Sequence, residues 1–279
     1  MANTLALVDR VKEYAASETL KLPVFPRIAE EVRKLVSEDK SSIKEVATII
    51  GEDQVIAGQM LKLANSAFFS GLHQVRTIRE AVMRLGLNQV MNFLVVASQQ
   101  SYYKSADHVV NDLLQVLWKH AIATARGSSW LLQKIGYPEL ADGGFLAGLL
   151  HDIGKLLLLR VVEIINGENP DARLSAAFIE EAVDTMHVEQ GFALLSAWNV
   201  PEVYCNVVRD HHIEDFDPRD VKLLAVRTVN QVCRKAGLSA KPDPRLIPVT
   251  LPEAHALNIK EIVLAELEII LEDALEFVS

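Results

Sequence analysis

Residues 145–159 run Phe145-Leu-Ala-Gly-Leu-Leu-His151-Asp152-Ile-Gly-Lys155-Leu-Leu-Leu-Leu159. Apolar runs stand on both sides of His151 and Asp152, and they favour the interior, so they draw these two polar side chains inward. A buried imidazole beside a buried carboxylate costs free energy unless both groups find partners. Two explanations fit this stretch: a His–Asp hydrogen bond inside a helical core, or a metal ion that takes both side chains as ligands.

Further histidines occur on the predicted helices around this stretch. Five of the eight histidines fall on or at the end of a predicted helix between residues 120 and 212: His120, His151, His187, His211 and His212. Neighbouring antiparallel helices can bring such residues to one level of a bundle, and bundle cores are known locations for metal sites. The sequence therefore predicts a metal site built from these histidines and Asp152. The alternative is that all five make ordinary hydrogen bonds in the core.

The predicted ligands indicate the kind of metal. Imidazoles with one carboxylate favour Fe, Ni, Mn or Zn over Mg or Ca. A working site would lower the pKa of a metal-bound water and would hold an oxyanion such as a phosphate. We interpret Asp152 and Lys155 as the candidate catalytic residues, because Lys155 lies one turn beyond Asp152 and can direct its charge at that anion. The alternative for Lys155 is a solvent-facing lysine at the start of a helix.

Composition narrows the fold class and the function classes. Hydrophobic residues make up 50% of the chain and aromatic residues only 6%, and no segment alternates polar and apolar residues, so we predict an all-α fold. The net charge of −9 argues against nucleic-acid binding as the main activity. Cys205 and Cys233 form no CxxC motif, and the N-terminus lacks the pattern of a secretory signal. No apolar run approaches the roughly 20 residues that span a bilayer, so we expect a cytoplasmic protein without membrane contact.

Helical periodicity and its interruptions divide the chain into four predicted parts. The polar segment from Ser101 to Asn111 separates the two larger ones, and in the tail we expect a helix from Asn258 with Glu261 in a capping box. The first predicted helix is a lid or a dimer element, so a homodimer stays open. The four parts are an N-terminal helix over 1–19, an N-terminal helical subdomain over 20–110, a helical bundle over 111–236 and a C-terminal extension over 237–279.

Taken together, these motifs resemble a known family. His120 followed by His151-Asp152 is similar to the first three ligands of the HD superfamily of metal-dependent phosphohydrolases, whose pattern is H…HD…D. The chain is more similar to one branch, the HDOD domain of bacterial signalling proteins, over roughly residues 20–235. The stretches that carry this resemblance are Leu22-Pro23, Leu61-Lys-Leu-Ala-Asn65-Ser66-Ala67, Ile78…Leu85-Gly86, Gly148-Leu-Leu-His151-Asp152-Ile-Gly154, His187-Val-Glu-Gln-Gly191, Trp198-Asn-Val-Pro201 and His211-His212.

The resemblance implies an all-helical, HD-like bundle with an N-terminal helical subdomain and a role in signal transduction or regulation. His187 and the His211-His212 pair match the additional histidines of the two-metal HD-GYP relatives. The final Asp of the HD pattern corresponds to Asn230, which is a neutral and weaker metal ligand. After His212 the chain has no Gly-Tyr-Pro, the motif connected with hydrolysis of cyclic di-GMP. These departures place hydrolysis in doubt and leave metal binding as an expectation.

Two functions follow as competing hypotheses. The first is a regulatory protein that binds a signalling partner or a nucleotide-like ligand and carries a partly degenerate metal site. The second is a metal-dependent phosphohydrolase that acts on a nucleotide or another phosphate ester. The absence of a carboxylate at Asn230 favours the first hypothesis. A purely structural cluster that holds no metal is the third possibility.

Overall fold

A computed structural model describes residues 10, 13, 43–66, 69, 71, 73–168, 171 and 173–274. All regular structure among these residues is helical, with no strand, which confirms the predicted all-α class. The described residues form two compact units: residues 43–102 are one, and residues 103–274 together with residues 10 and 13 are the other. Apart from residues 10 and 13, the predicted helix over 1–19 lies outside the described residues, as does the start of the predicted subdomain over 20–110. The four-part division stays a prediction.

The smaller unit contains, in its described part, four α-helices: α1 (Ile43–Gly51), α2 (Gln54–Ala64), α3 (Ile78–Leu85) and α4 (Leu87–Gln99). The connection after α2 is fixed by Asn65, whose side chain donates to the Val75 carbonyl and accepts from the Val75 N–H, both at 2.8 Å. A capping box between Thr77 and Glu80 then starts α3. Side chains thus determine where these helices begin and end.

The larger unit holds the candidate site. Its helices, as far as the chain is described, are α5 (His108–Lys134), α6 (Ala141–Leu150), α7 (Ile153–Glu168), α8 (Ala176–Ala197), α9 (Glu202–Asp210), α10 (Val221–Lys235), α11 (Pro252–Ala256) and α12 (Glu261–Ala274). Side-chain oxygens of Asp107, Ser175 and Asp220 cap the first turns of α5, α8 and α10. None of the described helices is both long enough and apolar enough to cross a membrane.

Helix α5 lies at the centre of the larger unit. It packs against α6, α7, α10 and α12, and it is buried on every side over much of its length. Leu264, Leu267 and Leu271 of α12 are buried in the same core as Val229 and Val232 of α10. The C-terminal extension is therefore part of this core. His120 lies near the middle of α5.

Helices α7 and α8 approach each other backbone to backbone at Gly154. A Cβ atom on Gly154 would lie 1.9 Å from the carbonyl oxygen of His187 and 2.8 Å from the nitrogen of Gly191. Only a residue without a side chain fits in this space. The contact brings Asp152, at the start of α7, next to His187 on α8.

The tail differs from the sequence expectation. The predicted helix start at Asn258 and the capping box with Glu261 are wrong, because Asn258 has a φ of 51° and α12 begins only at Glu261. Asparagine tolerates this left-handed conformation better than most residues, since its short polar side chain bonds locally. Asn258 thus turns the chain after α11, a short helix that was not predicted and that has Pro252 at its first position.

The close approach at Gly154 leads to a testable substitution. Gly154→Ala should lower the free energy of unfolding by about 1–3 kcal/mol, because the added methyl group overlaps the His187 carbonyl and forces the helices apart. Chemical denaturation followed by circular dichroism measures this change. Gly167→Ala in the same helix is the matched control, since its Cβ would meet no atom within 4 Å and alanine favours the helix by roughly 0.5–1 kcal/mol. Equal effects of the two substitutions would contradict the explanation.

Candidate metal centre

His151 and Asp152 form the junction between α6 and α7. Helix α6 ends at Leu150 and α7 begins at Ile153, and both flanking runs are largely buried. His151 has no exposed surface and Asp152 is 3% exposed. The apolar runs therefore bury the pair, as the sequence indicated.

The structure brings all six predicted ligands together around the Asp152 carboxylate. The members of each of two groups place one candidate ligand atom apiece within 4.8 Å of one another, and the groups share Asp152. The first group is His120, His151 and Asp152, and the second is Asp152, His187, His211 and His212.

The two carboxylate oxygens of Asp152 face different groups. Oδ2 lies 3.5 Å from Nε2 of His120 and 3.4 Å from Nε2 of His151. Oδ1 lies 3.5 Å from Nε2 of both His187 and His211. One carboxylate is thus placed between two sets of imidazoles.

Backbone carbonyls fix the tautomers of the four buried imidazoles. Each ring directs its Nδ1 at a carbonyl oxygen, and because a carbonyl only accepts, each Nδ1 donates. Nε2 of each neutral ring is then an unprotonated acceptor that faces Asp152. The pairs and their distances are His120 to Leu238 at 2.8 Å, His151 to Gly148 at 2.7 Å, His187 to Val183 at 3.0 Å and His211 to Val208 at 2.8 Å.

The centre therefore has more acceptors than donors. Nε2 of His120 and Nε2 of His151 are 3.2 Å apart, and they can bond only if one ring takes up a second proton. Oδ1 of Asp152, Nε2 of His187 and Nε2 of His211 are buried without any hydrogen-bond partner. Buried acceptors without donors are destabilising, and a cation would satisfy them together. The cluster thus fits a divalent transition metal better than it fits ordinary core hydrogen bonds.

Lys155 supplies a positive charge to the cluster. Its Nζ donates to Oδ2 of Asp152 at 2.8 Å, and its side chain is 21% exposed. Lys155 is therefore an ion-pair partner of Asp152 and not the solvent-facing lysine that was the alternative. Its candidate catalytic role stays a prediction.

Burial favours the neutral form of three of these imidazoles, those of His120, His187 and His211. Desolvation lowers the pKa of His120 to about 3 and that of His187 to about 4, and it also lowers the pKa of His211. Burial opposes the ionisation of Asp152, but the charge of Lys155 holds its pKa well below the usual range. Neutral imidazoles next to an ionised carboxylate are the protonation states that metal coordination requires.

Arg227 on α10 holds the turn His211–His212, and sequence reasoning missed it. Its guanidinium donates to the carbonyls of Asp210 and Ile213, at 3.2 and 2.6 Å, on either side of the two histidines. Glu253 of α11 is 3% exposed and accepts a hydrogen bond from Arg227 at 2.6 Å. Only the charges of these residues are visible in the sequence, and nothing in their spacing pairs them.

The C-terminal extension also positions His120. Gly237 has a φ of 77° where α10 ends, and the Leu238 N–H donates to the Cys233 carbonyl at 2.8 Å. This turn aims the Leu238 carbonyl at Nδ1 of His120. The extension therefore reaches the site through Leu238 and through Glu253.

A cavity of about 490 Å³ opens onto the cluster. His120, Asp152, His187 and His212 line its floor, and the side chain of His212 is exposed. Asn230 lines the same cavity and is 6% exposed. The resemblance assigns the last carboxylate of the H…HD…D pattern to Asn230, and the structure places the neutral amide of Asn230 in the cavity lining.

One protein family matches most of the chain. The family model of the HDOD domain matches residues 22–214, which is more than two thirds of the chain. The matched region ends just after the turn His211–His212, so α10 to α12 lie beyond it. Two curated, uncharacterised proteins are 27% and 23% identical, and the matched regions span 40% and 32% of their lengths.

Solved structures share the fold over nearly the whole chain. A candidate metal-dependent phosphohydrolase from Shewanella amazonensis SB2B is 23% identical, with a TM-score of 0.70 over 98% of this chain and 100% of that one. An HDOD domain protein of unknown function from Geobacter sulfurreducens is 20% identical, with a TM-score of 0.72 over 98% of each chain. A candidate signal transduction protein from Marinobacter aquaeolei VT8 is 19% identical, with a TM-score of 0.66 over 99% of this chain and 65% of that one.

Because burial lowers the pKa of His120 and His187, the free energy of unfolding of the metal-free protein should decrease in acid. The pKa values of His120 and His187 are about 3 and 4 in the folded protein, whereas a histidine in the solvated, unfolded chain has a pKa of 6.5. Below a pH of about 6.5 the unfolded chain binds more protons than the folded protein does. The contribution of these histidines to the free energy of unfolding is therefore fully present above that pH and decreases as the pH falls below it. Between pH 7 and 5 the loss should be about 2 kcal/mol for each histidine, measured by urea denaturation after chelation. His120→Gln should make the slope shallower, and a flat profile would contradict neutral burial.

Arg227 offers a test of how the turn His211–His212 is held. Arg227→Lys keeps the charge beside Glu253 but cannot reach both carbonyls, because lysine lacks the planar fork of donors. We expect the affinity for Mn²⁺ or Ni²⁺, titrated calorimetrically into metal-free protein, to fall by about 10–100-fold. Thermal denaturation checks that the variant is folded. Arg219→Lys, at an arginine whose side chain is 89% exposed, is the control, and equal affinities of the two variants would rule out the proposed support.

Proposed function

The chain belongs to the HDOD domain family, and we propose that it is a signalling or regulatory protein that binds a partner protein or a small ligand. We further propose that it holds a transition metal in the cluster around Asp152. The observation that supports regulation over hydrolysis is Asn230, which lines the cavity without offering a carboxylate. Fe, Ni, Mn and Zn remain the candidate metals, because the donors are imidazoles with one carboxylate.

The arrangement of the ligands indicates room for two ions. His120 and His151 would hold one with Oδ2 of Asp152, and the second histidine group would hold another with Oδ1. A metal bound here supplies positive charge and Lewis acidity toward an anion. Lys155 keeps Asp152 ionised when the metal is absent, so the carboxylate is ready to coordinate.

A metal-dependent phosphohydrolase is the second candidate function. Lys155 and the cluster both line a cavity large enough for a small substrate, which favours an activity on phosphate esters. The name of the Shewanella relative points to the same reaction class. The regulatory proposal ranks first because the amide of Asn230 weakens the ligand set at the position of the last HD carboxylate.

Metal content and turnover separate these functions. Protein purified without chelators should contain a transition metal by mass spectrometry, and metal added back after chelation should raise the melting temperature, because it binds the native state. His151→Ala should lose both effects, whereas His255→Ala, at an exposed histidine outside the cluster, should keep them. With a panel of phosphate esters, the turnover by the unsubstituted protein should not exceed the turnover by His151→Ala.

The opposite outcomes are equally specific. Turnover that disappears in His151→Ala but persists in His255→Ala would establish the phosphohydrolase in place of the regulatory protein. Protein that contains no metal and gains no stability from Fe, Ni, Mn or Zn would overturn the metal centre and support a structural cluster. The protein partner and the homodimer stay proposals that these measurements do not address.

A further inference from the structure

The cavity above Asp152 has a wall of aliphatic side chains. Leu117, Leu159 and Val183 are 7%, 2% and 8% exposed. Among the described residues that line the cavity there is no Phe, Tyr or Trp, and the histidines lie on the floor, so the wall offers no stacking surface for a nucleobase. Such a wall favours a flexible aliphatic group. Its members come from α5, α7 and α8 and are Leu113, Val116, Leu117, Leu159, Val183 and Val188.

The charged side chains of the cavity balance one another. Lys155 pairs with Asp152, and Lys241 forms an ion pair with Asp184. Glu180 and Arg234 complete a lining with three cationic and three acidic side chains. With a divalent cation in the cluster, the floor becomes positive. The cavity should therefore attract an anion when metal is bound, and much less so without it.

Polar groups beside the floor can receive the head of such an anion. Arg234 uses two of its donors within the protein, to Gln231 at 3.0 Å and to the Lys241 carbonyl at 3.3 Å, which leaves other N–H groups of the five that arginine carries. The hydroxyl of Ser239 lines the cavity and is buried without a hydrogen-bond partner. A buried polar atom without a partner indicates a ligand or water at that position.

We propose that the cavity binds an organic anion with a phosphate-type head and an aliphatic chain. The anionic head lies at the cluster of candidate ligands around Asp152, near Lys155 and Arg234. The aliphatic chain of the ligand lies against the wall formed by α5, α7 and α8. A volume of about 490 Å³ is in the range of small-ligand sites. The inference rests on the proposed metal centre, and it replaces the nucleotide-like ligand expected from the sequence with an aliphatic one.

Alkylphosphonates test the ligand class, because their carbon–phosphorus bond resists hydrolysis and they therefore bind without turnover. The metal-loaded chain of 279 residues is titrated calorimetrically with methylphosphonate, hexylphosphonate and guanosine monophosphate. Burial of a methylene group favours binding about threefold to fourfold, so hexylphosphonate should bind at least about 100-fold more tightly than methylphosphonate. Guanosine monophosphate should bind within about threefold of methylphosphonate, since the wall has no stacking partner. Nucleotide binding tighter than that of hexylphosphonate, or no gain from the longer chain, would overturn the proposal.

Two valines on α5 provide a matched pair of variants. Val116 lines the cavity and is 37% exposed, whereas Val109 is 44% exposed and lies outside the lining. Val116→Asn should remove most of the difference in affinity between hexylphosphonate and methylphosphonate and leave the affinity for methylphosphonate unchanged. Val109→Asn should change neither affinity. If Val116→Asn fails to fold by circular dichroism, Val188→Asn on α8 replaces it. An unchanged difference in affinity between the two alkylphosphonates in the folded variant would overturn the proposed position of the alkyl chain.

The metal content of each sample separates two kinds of failure. Protein that takes up no metal would refute the proposed metal centre and, with it, this inference. Protein that takes up metal but does not distinguish the two alkylphosphonates would refute the aliphatic ligand alone. Removal of the metal should weaken hexylphosphonate binding at least about tenfold, because the remaining charges of the lining balance. Equal binding with and without metal would contradict the charge argument.

Discussion

The bonds from imidazole Nδ1 atoms to backbone carbonyls are the constraint on which the centre depends. They turn unprotonated Nε2 atoms toward Asp152, so the interior of the larger unit contains several acceptors in contact. Lys155 relieves part of this arrangement at Oδ2, but Oδ1 has no donor. A protein that needed only a stable core would gain by replacing such groups with apolar ones. The arrangement is therefore better explained by binding than by stability.

The fold meets this constraint with supports that lie far apart in the sequence. Gly154 lets α7 and α8 touch, which places Asp152 beside His187. Arg227 and Glu253 fasten the turn His211–His212, and the Leu238 carbonyl orients His120. The last two supports lie beyond the matched HDOD region, so the C-terminal extension completes a cluster whose candidate ligands lie within that region. Altering the extension would change the site without changing a ligand.

The sequence was sufficient for the helical class and for the six residues that converge, because burial and the spacing of histidines on amphipathic helices are local properties. It was not sufficient for the supports. Arg227 and Glu253 are 26 residues apart in the sequence, and a carbonyl such as that of Leu238 has no sequence signature. The helix start at Asn258 was wrong because its cap-like side chain instead allows a left-handed turn. The aliphatic wall was also invisible, since leucine and valine on α5 and α8 are equally expected in a core.

Charge balance in the cavity connects the metal to whatever anion enters it. Without metal, Lys155 neutralises Asp152 and Lys241 neutralises Asp184, so the lining has little attraction for a negative group. A metal that raises the affinity for an anion must itself be bound more tightly when the anion is present, by the same factor. Metal and anion would then stabilise one liganded state together, and neither alone would populate it to the same extent. For the proposed regulatory function this coupling is useful without any turnover, and an amide at Asn230 in place of a carboxylate would make metal occupancy depend more strongly on the anion.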